Sequence, residues 1–284
     1  MITSETKLYA LIGYPIGHSL SPVMQNAALK TAGVDAVYLA LKVSPPMLRS
    51  AVTGFRAVGL AGFNVTIPHK VAVMRCLDGL DPSAANLGAV NTVTNHEGRL
   101  IGHNTDGAGA LAALQGAGVD PKGLNAVILG AGGAARAIAF SLALKVESLV
   151  ILNRTGTRAS RLGKDVEKVA EAKVKGMRLT PENLQESLAS ADLLVNAASV
   201  GMSPRTEESL VERYLLHSDL TVFDIVYSPL RTQLMRDAEA MGARTVGGLS
   251  MLVHQGALAF ELWTRKKAPI QVMREALEKQ IGSG

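Results

Sequence analysis

The stretch that most constrains the fold of this chain runs from Leu124 to Thr155 and contains a glycine-rich turn. Residues 125–129 form a short apolar run that is typical of a buried parallel strand. The turn after it, Gly130-Ala131-Gly132-Gly133-Ala134-Ala135, matches the pattern G-x-G-x-x-A, and a small, apolar helical stretch follows before a second strand at 148–152. The first glycine permits a tight bend, the second lets backbone approach a pyrophosphate, and the small last residue allows close helix–strand packing. The pattern predicts a β-α-β unit that binds a dinucleotide at the helix N-terminus, with a purely structural turn as the alternative.

The end of the second predicted strand indicates which dinucleotide is bound. An NAD site usually has Asp or Glu about 20 residues after the glycines, where the carboxylate holds the ribose 2′-hydroxyl. This chain instead reads Asn153-Arg154-Thr155, followed by Arg158, with no carboxylate among them. Because an arginine at this place suits a 2′-phosphate, we predict NADP; a solvated loop arginine is the alternative.

Length and composition exclude several classes of protein. A chain of 284 residues, 48% of them hydrophobic, is long enough for one large domain or two ordinary ones. The net charge is +5, but Lys and Arg are scattered and aromatic residues make up 4%, which argues against a nucleic-acid partner. The basic balance favours a surface that attracts small anionic molecules.

Targeting signals and metal-site patterns are also not evident in the sequence. The chain has no run of 18 uncharged apolar residues, and its start lacks the basic and apolar regions of a signal peptide, so we expect a cytoplasmic protein without a membrane partner. The single cysteine, Cys76, excludes an internal disulfide, and its apolar surroundings favour packing over a reactive thiol. No His/carboxylate cluster has ligand spacing, so no metal is expected.

Polar side chains recur where the predicted strands of the first hundred residues end. Ligands bind outside the carboxyl ends of strands in open α/β sheets, so we expect these side chains to form one pocket for a polyhydroxylated small molecule. The residues concerned are Ser19 and Ser21 after strand 7–13, Asn64 and Thr66 at the end of strand 60–65, Lys70, Asn91 within an expected strand 87–94, and Asp106 after strand 100–103.

Several of these residues have structural alternatives. Ser21 before Pro22 fits a helix N-cap, which leaves Ser19 as the better ligand candidate, and Asp106 could cap the helix that we expect from Ala108. The amide of Asn91 could form hydrogen bonds either with neighbouring backbone or with a ligand hydroxyl. Lys70 is expected in the first turn of a helix, where the dipole disfavours a cation, and such a local violation is a sign of function. His18, by contrast, is expected to be structural.

One ordered set of segments carries a family resemblance. HSLSP, FNVTIPHK, GAVNT and NTDG precede GAGGAAR and NRT, and this set resembles the shikimate dehydrogenases over nearly the whole chain. The resemblance implies NADP-linked interconversion of shikimate and 3-dehydroshikimate in aromatic amino-acid biosynthesis. It also implies that Lys70 and Asp106 act at the reacting hydroxyl and that the other substrate contacts come from Ser19 and Ser21 on the carboxylate, Asn64, Thr66, Asn91, Tyr227 and Gln255. For Gln255, on a predicted apolar helix, packing is the alternative.

The resemblance extends to the cofactor side. Residues 196–202 match the family's cofactor-side loop, with Ala198 in place of the usual threonine, and Gly247 stands where the family often has aspartate. Ile225 is implied to lie near the nicotinamide. The expected cofactor-binding residues are Gly130, Ala131, Gly132, Gly133, Ala134, Asn153, Arg154, Thr155, Arg158, Ile225 and Gly248.

We therefore expect an α/β protein of two domains with the active site in the cleft. The substrate domain is predicted at 1–106, completed by helices at 248–284, and a Rossmann-like, doubly wound NADP domain at 107–247. The partner is a small molecule, and a homodimer is left open. Two other functions remain: a quinate/shikimate dehydrogenase that uses NAD, and a non-catalytic NADP-binding regulator.

Overall fold

The computed structural model describes residues 2–282, which divide into two compact units. The first unit comprises the chain up to Thr105 together with the residues from Val253 onward. The second unit comprises Asp106–Leu252. The two units are therefore joined by two chain crossings, the second of which lies inside a long helix, Gly248–Thr264.

Strands and helices alternate along most of the described chain. Across residues 2–282 the strands are β1 (Lys7–Gly13), β2 (Ala36–Lys42), β3 (Gly62–Val65), β4 (Gly79–Leu80), β5 (Thr92–His96), β6 (Arg99–His103), β7 (Asn125–Leu129), β8 (Ser148–Asn153), β9 (Lys173–Arg178), β10 (Leu193–Asn196), β11 (Thr221–Asp224) and β12 (Arg244–Gly247). The α-helices are α1 (Ser21–Thr31), α2 (Leu48–Ala57), α3 (Pro82–Leu87), α4 (Asp106–Gly116), α5 (Gly133–Leu142), α6 (Gly156–Glu167), α7 (Pro181–Leu188), α8 (Gln233–Ala240), α9 (Gly248–Thr264) and α10 (Ile270–Gly282). Short 3-10 helices lie at Pro45–Met47, Ala72–Cys76 and Arg213–Leu215.

The sheet of the first unit is mixed, with the strand order β2-β1-β3-β5-β6-β4. Strands β1, β2 and β3 are parallel, whereas β5 pairs antiparallel with both β3 and β6. The amino end of β5 therefore lies beside the carboxyl ends of β3 and β6. This arrangement brings the residues that end β3, begin β5 and end β6 to one edge of the sheet.

The core of the first unit forms on the apolar side chains of β1 and β3, including Ile12 and Phe63, which are fully buried. On α9, the Trp263 indole donates a 2.9 Å hydrogen bond to the carbonyl of Val93. A Cβ at Gly62 would collide with this indole, so the glycine lets α9 pack against the sheet.

The sheet of the second unit is wholly parallel, with the order β12-β11-β10-β7-β8-β9. Numbered within the unit this is 6-5-4-1-2-3, the strand order of dinucleotide-binding doubly wound folds. The order reverses between β7 and β10, and ligands bind at such a switch point. Buried aliphatic residues such as Leu129 and Leu194 form the core.

Two local predictions were wrong. Residues 87–94 were expected to be one strand, but α3 continues to Leu87, Gly88 ends it with φ of +62°, and β5 begins at Thr92. The reason is a strong helix start, since Asp81 accepts the backbone N–H of Ser83 and Pro82 follows the cap. Lys70 lies in a turn before the 3-10 helix Ala72–Cys76, not in the first turn of an α-helix, so the dipole argument for it does not apply.

Cys76 is partly buried against the core of the first unit. No helix among residues 2–282 combines the length and apolar character needed to cross a membrane.

Candidate active site

A hydrogen-bonded row of polar residues lies at one edge of the first unit's sheet. This polar row comprises Asn64, Asn91, Thr92 and Thr105. The strand register places Asn64 opposite Thr92, and Thr92 opposite His103. The amide of Asn64 donates hydrogen bonds of 3.0 Å to the carbonyl of Asn91 and 3.0 Å to the hydroxyl of Thr92. Its oxygen accepts a 2.7 Å hydrogen bond from the Tyr38 hydroxyl. Both amide hydrogens of Asn64 are thus used within the unit, and the residue shapes the site.

Asn91 lies at the centre of this row and is buried. Its Oδ1 accepts the backbone N–H of Thr105 at 2.8 Å and the hydroxyl of Thr92 at 2.9 Å. Its Nδ2 donates to the Thr105 hydroxyl at 2.9 Å and lies 3.5 Å from Oε1 of Gln255. Asn91 therefore fixes Thr105, the residue directly before Asp106, and brings Gln255 of α9 to the same place.

The turn that carries Lys70 is tied to the same edge through backbone and side-chain contacts. The carbonyl of Lys70 accepts the N–H of Val90 at 2.8 Å, which holds the lysine backbone beside Asn91. The buried His69 ring places Nε2 2.7 Å from the carbonyl of Val43. A carbonyl can only accept, so Nε2 carries the proton. Sequence reasoning missed His69, whose signal was a histidine directly between Pro68 and the candidate lysine.

Thr66 lies where the loops after β1 and β3 meet. Its N–H donates to the carbonyl of Ile12 at 2.9 Å, and the N–H of Tyr14 donates to the carbonyl of Ile67 at 3.0 Å. A Cβ at Gly13 would lie 2.5 Å from Cγ2 of Thr66. Glycine at the end of β1 therefore lets Thr66 sit against the loop that leads to Ser19.

The hydrogen bond that a side chain makes at the start of α1 comes from Ser19, not from Ser21. Helix α1 begins at Ser21, its N-cap position is Leu20, and no side chain caps it there. The hydroxyl of Ser19 instead accepts the N–H of Ser21 at 3.3 Å. The capping alternative for Ser21 does not hold, because α1 begins at Ser21 itself and a cap residue would precede the first helical residue. His18 is exposed.

Asp106 is the first residue of α4 and is buried, so the helix begins before the expected Ala108. It belongs to the second unit, whereas Lys70 belongs to the first. A Cβ at Gly107 would collide with the hydroxyl of Ser141. This close approach packs α4 against α5, the helix that follows the glycine-rich turn.

The glycine-rich turn has the geometry of a phosphate cradle. Gly130 has φ of +115°, and a Cβ there would lie 2.8 Å from the carbonyl oxygen of Ala197, at the end of β10. The turn therefore lies beside the ends of both β7 and β10, where the strand order reverses. Beside Gly132 no atom lies within 4 Å of where a Cβ would be, and α5 begins at Gly133 with no side-chain cap and no acidic residue in its first turn. Its first N–H groups and dipole suit an anion.

Two arginines stand at the next helix start. β8 ends at Asn153, whose amide donates to the carbonyl of Thr155 at 3.0 Å, and α6 follows from Gly156. The side chains of Arg154 and Arg158 are exposed, and within residues 2–282 neither makes an ion pair. Cations at a helix N-terminus are disfavoured unless an anion joins them. The pair fits a 2′-phosphate.

A third arginine close by serves the fold instead. Nη1 of Arg136, on α5, lies 2.9 Å from Oδ2 of Asp165 on α6, and its guanidinium lies 4.9 Å from the centroid of the Phe140 ring. The Arg136 side chain holds the pKa of Asp165 below its usual value. This ion pair ties together the two helices that begin at the proposed phosphate contacts.

The ends of β10 and β11 are joined by a buried carboxylate that sequence reasoning did not single out. Asp224 Oδ1 accepts the amide of Asn196 at 3.0 Å and the N–H of Val226 at 3.0 Å, and Oδ2 accepts the hydroxyl of Thr232 at 2.6 Å. Burial raises the pKa of Asp224, and the three hydrogen bonds oppose that rise.

Of the remaining predicted residues, Ile225 and Tyr227 follow β11, and Gly248 follows β12. A Cβ at Gly248, the first residue of α9, would collide with the carbonyl of Ile225. Tyr227 is half-buried, and burial raises the pKa of its hydroxyl, which keeps it a neutral donor. These residues therefore lie beside the carboxyl edge of the second sheet.

Together, a dinucleotide cradle on a doubly wound sheet and a polar row on a separate mixed α/β sheet define a two-unit, dinucleotide-dependent oxidoreductase. Residues 11–93 match the shikimate dehydrogenase substrate binding domain, 112–229 match shikimate/quinate 5-dehydrogenase, and 248–278 match the shikimate 5-dehydrogenase C-terminal domain. The chain is 50% identical over 283 residues to the NADP(+) shikimate dehydrogenase of Methanopyrus kandleri, covering 99% of this chain and 98% of that protein. The chain belongs to the shikimate dehydrogenase family.

Solved structures of shikimate dehydrogenases have the same fold over nearly the whole chain. A shikimate dehydrogenase in complex with NADP+ superposes with a TM-score of 0.94 at 42% identity, covering 99% of this chain and 98% of that one. The shikimate 5-dehydrogenase of Listeria monocytogenes, in complex with shikimate and NAD, superposes with a TM-score of 0.92 at 41% identity, covering 97% and 98%.

Proposed function

We propose that this chain is an NADP-linked shikimate dehydrogenase, which reversibly reduces 3-dehydroshikimate to shikimate on the route to aromatic amino acids. Full-length similarity to the NADP(+) enzyme of Methanopyrus kandleri supports the reaction. The assignment of NADP as the cofactor rests on the open glycine-rich turn together with the two exposed arginines after β8.

The two units divide the binding work in this proposal. The first unit, which carries the polar row around Asn91, binds the substrate, and the second unit binds NADP. The N–H groups at the start of α5 hold the pyrophosphate, and Arg154 and Arg158 hold the 2′-phosphate. Bound NADP supplies the hydride acceptor in oxidation and the hydride donor in reduction.

Substrate recognition is assigned to the edge of the first sheet. The hydroxyls of Ser19 and Ser21 bind the substrate carboxylate, and Thr66, Asn91 and Gln255 bind the ring hydroxyls, with Tyr227 of the second unit completing the set. Asn64 acts through its hydrogen bonds to Asn91 and Thr92, which orient the row. Hydroxyl and amide groups pair with a polyhydroxylated ring because each can donate or accept.

Lys70 and Asp106 handle the proton. In oxidation the C3–H bond of shikimate breaks with its electron pair leaving as hydride, while the C3 hydroxyl gives its proton to the Lys70–Asp106 pair. In reduction the pair returns a proton to the developing alkoxide. General acid–base help of this kind typically contributes about 10²–10⁴-fold to the rate.

The assay that tests this function offers purified protein shikimate or quinate, each with NADP or NAD, and follows the absorbance of reduced cofactor. Turnover with shikimate and NADP far above the other three combinations is expected. Preferred turnover of quinate with NAD would establish the NAD-linked alternative, which is not favoured because β8 ends in asparagine followed by arginine. NADP binding without turnover would establish the non-catalytic regulator.

A further inference from the structure

Asp224 is a fully buried carboxylate to which the reaction described above assigns no role. It stands at the end of β11, and its neighbour in the register is Asn196 at the end of β10. An ionised carboxylate only accepts hydrogen bonds, and it has four lone-pair positions for them. Asp224 uses three, toward three donors from three different segments of the chain: Asn196, Val226 and Thr232.

Each of these donors fixes a further piece of backbone. Oδ1 of Asn196 accepts the N–H of Ala198 at 3.2 Å, which shapes the loop after β10. The hydroxyl of Thr232 also accepts the N–H of Met235 at 3.3 Å and so caps α8. The N–H of Val226 fixes the bend after β11. One carboxylate therefore sets the relative position of two neighbouring loops and the start of a helix.

The loop after β10 packs against the glycine-rich turn, and the loop after β11 packs against the start of α9. The carbonyl oxygen of Ala197 lies against Gly130, at 2.8 Å from where a Cβ would be, so the first glycine of the cradle packs on the loop that Asn196 shapes. Ile225, between Asp224 and Val226, lies with its carbonyl against Gly248. A shift of the first loop would therefore displace Gly130, and a shift of the second would displace Ile225 and Gly248, which are all expected cofactor contacts.

We propose that Asp224 is a positioning residue for the nicotinamide half of NADP, holding the loops after β10 and β11 in the arrangement that the cofactor requires. The inference rests on the proposed function, because it concerns the same cofactor site. It assigns no contact between Asp224 and the cofactor. The residue acts through Asn196 and Val226, and the hydroxyl of Thr232 holds the carboxylate in place for both.

The test compares two ligands on the full chain by calorimetry: NADP, and adenosine 2′,5′-bisphosphate, which keeps the 2′-phosphate and lacks the nicotinamide half. Asp224→Asn removes the charge and places a donor where one of three donors points. Thr232→Val removes one donor at nearly constant volume, and Thr232→Ser restores the hydroxyl. Asp192→Asn is the matched control, because Asp192 accepts the N–H of Asn125 at 2.7 Å at the opposite edge of the same sheet.

Asp224→Asn and Thr232→Val are expected to weaken NADP binding about tenfold or more and to lower kcat by about 10–100-fold, because small displacements of a reacting group are costly. Binding of adenosine 2′,5′-bisphosphate should stay at the wild-type value. Thr232→Ser and Asp192→Asn should bind both ligands as the wild type does.

Three outcomes would overturn the inference. Unchanged NADP affinity and kcat in both Asp224→Asn and Thr232→Val would remove the positioning role. Equal loss of both ligands would show a role in the fold of the whole unit. An equal effect of Asp192→Asn would show that any hydrogen-bonded carboxylate at a strand end of this sheet behaves alike. Wild-type protein that binds adenosine 2′,5′-bisphosphate but has no activity would instead contradict the proposed function, and the NADP comparison would still decide the inference.

Discussion

The hydroxyl of Tyr38 lies 2.7 Å from Oδ1 of Asn64, and both side chains are buried. Burial raises the pKa of Tyr38 well above its usual value, so the phenol remains a neutral donor. Its ring lies 6.0 Å from that of Trp263, centroid to centroid. The orientation of Asn64, and through it the polar row, is therefore fixed by the aromatic core beneath the site.

Replacement of Tyr38 by phenylalanine tests this relationship. Loss of the hydroxyl leaves Oδ1 of Asn64 buried without this donor, which costs about 1–3 kcal/mol of unfolding free energy. We expect that loss in urea unfolding, together with a higher KM for shikimate. Tyr9→Phe is the matched control, because Tyr9 stacks on the same indole at 5.0 Å and its hydroxyl makes no hydrogen bond among residues 2–282. Equal effects of the two variants would contradict the role of Tyr38.

The doubly wound sheet could be predicted because its signals are local: a glycine-rich turn between a strand and a helix has few alternatives. Residue spacing also placed Asn64 and Asp106 at strand ends, whereas it placed Asn91 inside a strand that begins only at Thr92. The antiparallel direction of β5 has no such local signal, although it is what puts Thr92 beside Asn64. The buried partners Tyr38, Thr105 and Asp224 were missed for the same reason, since a hydrogen bond between distant residues leaves no periodic pattern in the sequence.

Ser19 and Ser21 should differ in the reverse sense to that suggested by the sequence. Because the Ser19 hydroxyl accepts the N–H of Ser21, Ser19→Ala removes a hydrogen bond worth about 0.5–1.5 kcal/mol as well as a proposed substrate contact. Ser21→Ala should weaken shikimate binding with little loss of stability. Thermal unfolding and shikimate KM, measured on both variants, check this, and a larger drop in Tm for Ser21→Ala would contradict it.

Arg154 should decide the choice of cofactor. A hydrogen bond to a charged group is worth about 1.5–3 kcal/mol, or about 10- to 150-fold in affinity, so Arg154→Ala should raise the KM for NADP by that factor. The KM for NAD should change little. Arg161→Ala, an exposed arginine further along α6, serves as the control. Equal losses with NADP and NAD would mean that Arg154 acts through the fold.

The ion pair of Asp165 should make the free energy of unfolding depend on pH. Its pKa is lowered first by the hydrogen bond from Arg136, so the folded state holds the charged form and the contribution to stability is present above the unfolded pKa, near 3.8. It is lost as the pH falls through the lowered folded pKa. Asp165→Asn should therefore cost up to about 1 kcal/mol at pH 7 and less at a pH below 4. Urea unfolding at both pH values measures this, and a cost that grows on acidification would contradict the ion pair.

Lys70 and Asp106 should behave as one unit in a double-mutant cycle. Each single change, Lys70→Ala or Asp106→Asn, removes the shared proton path, so the double variant should lose less than the product of the two single losses in kcat. Strictly multiplicative losses would contradict a shared proton.

The most direct measurement is the turnover of Lys70→Ala with shikimate and NADP, made beside a calorimetric measurement of its NADP binding. Turnover should fall by about 10²–10⁴-fold while the affinity for NADP stays at the wild-type value, since the proposed cofactor contacts lie in the second unit. The control is Lys42→Ala, which changes a lysine at the end of β2 in the same unit and should keep wild-type turnover. Near-normal turnover in Lys70→Ala would contradict the proton-transfer role of Lys70 and the mechanism built on it.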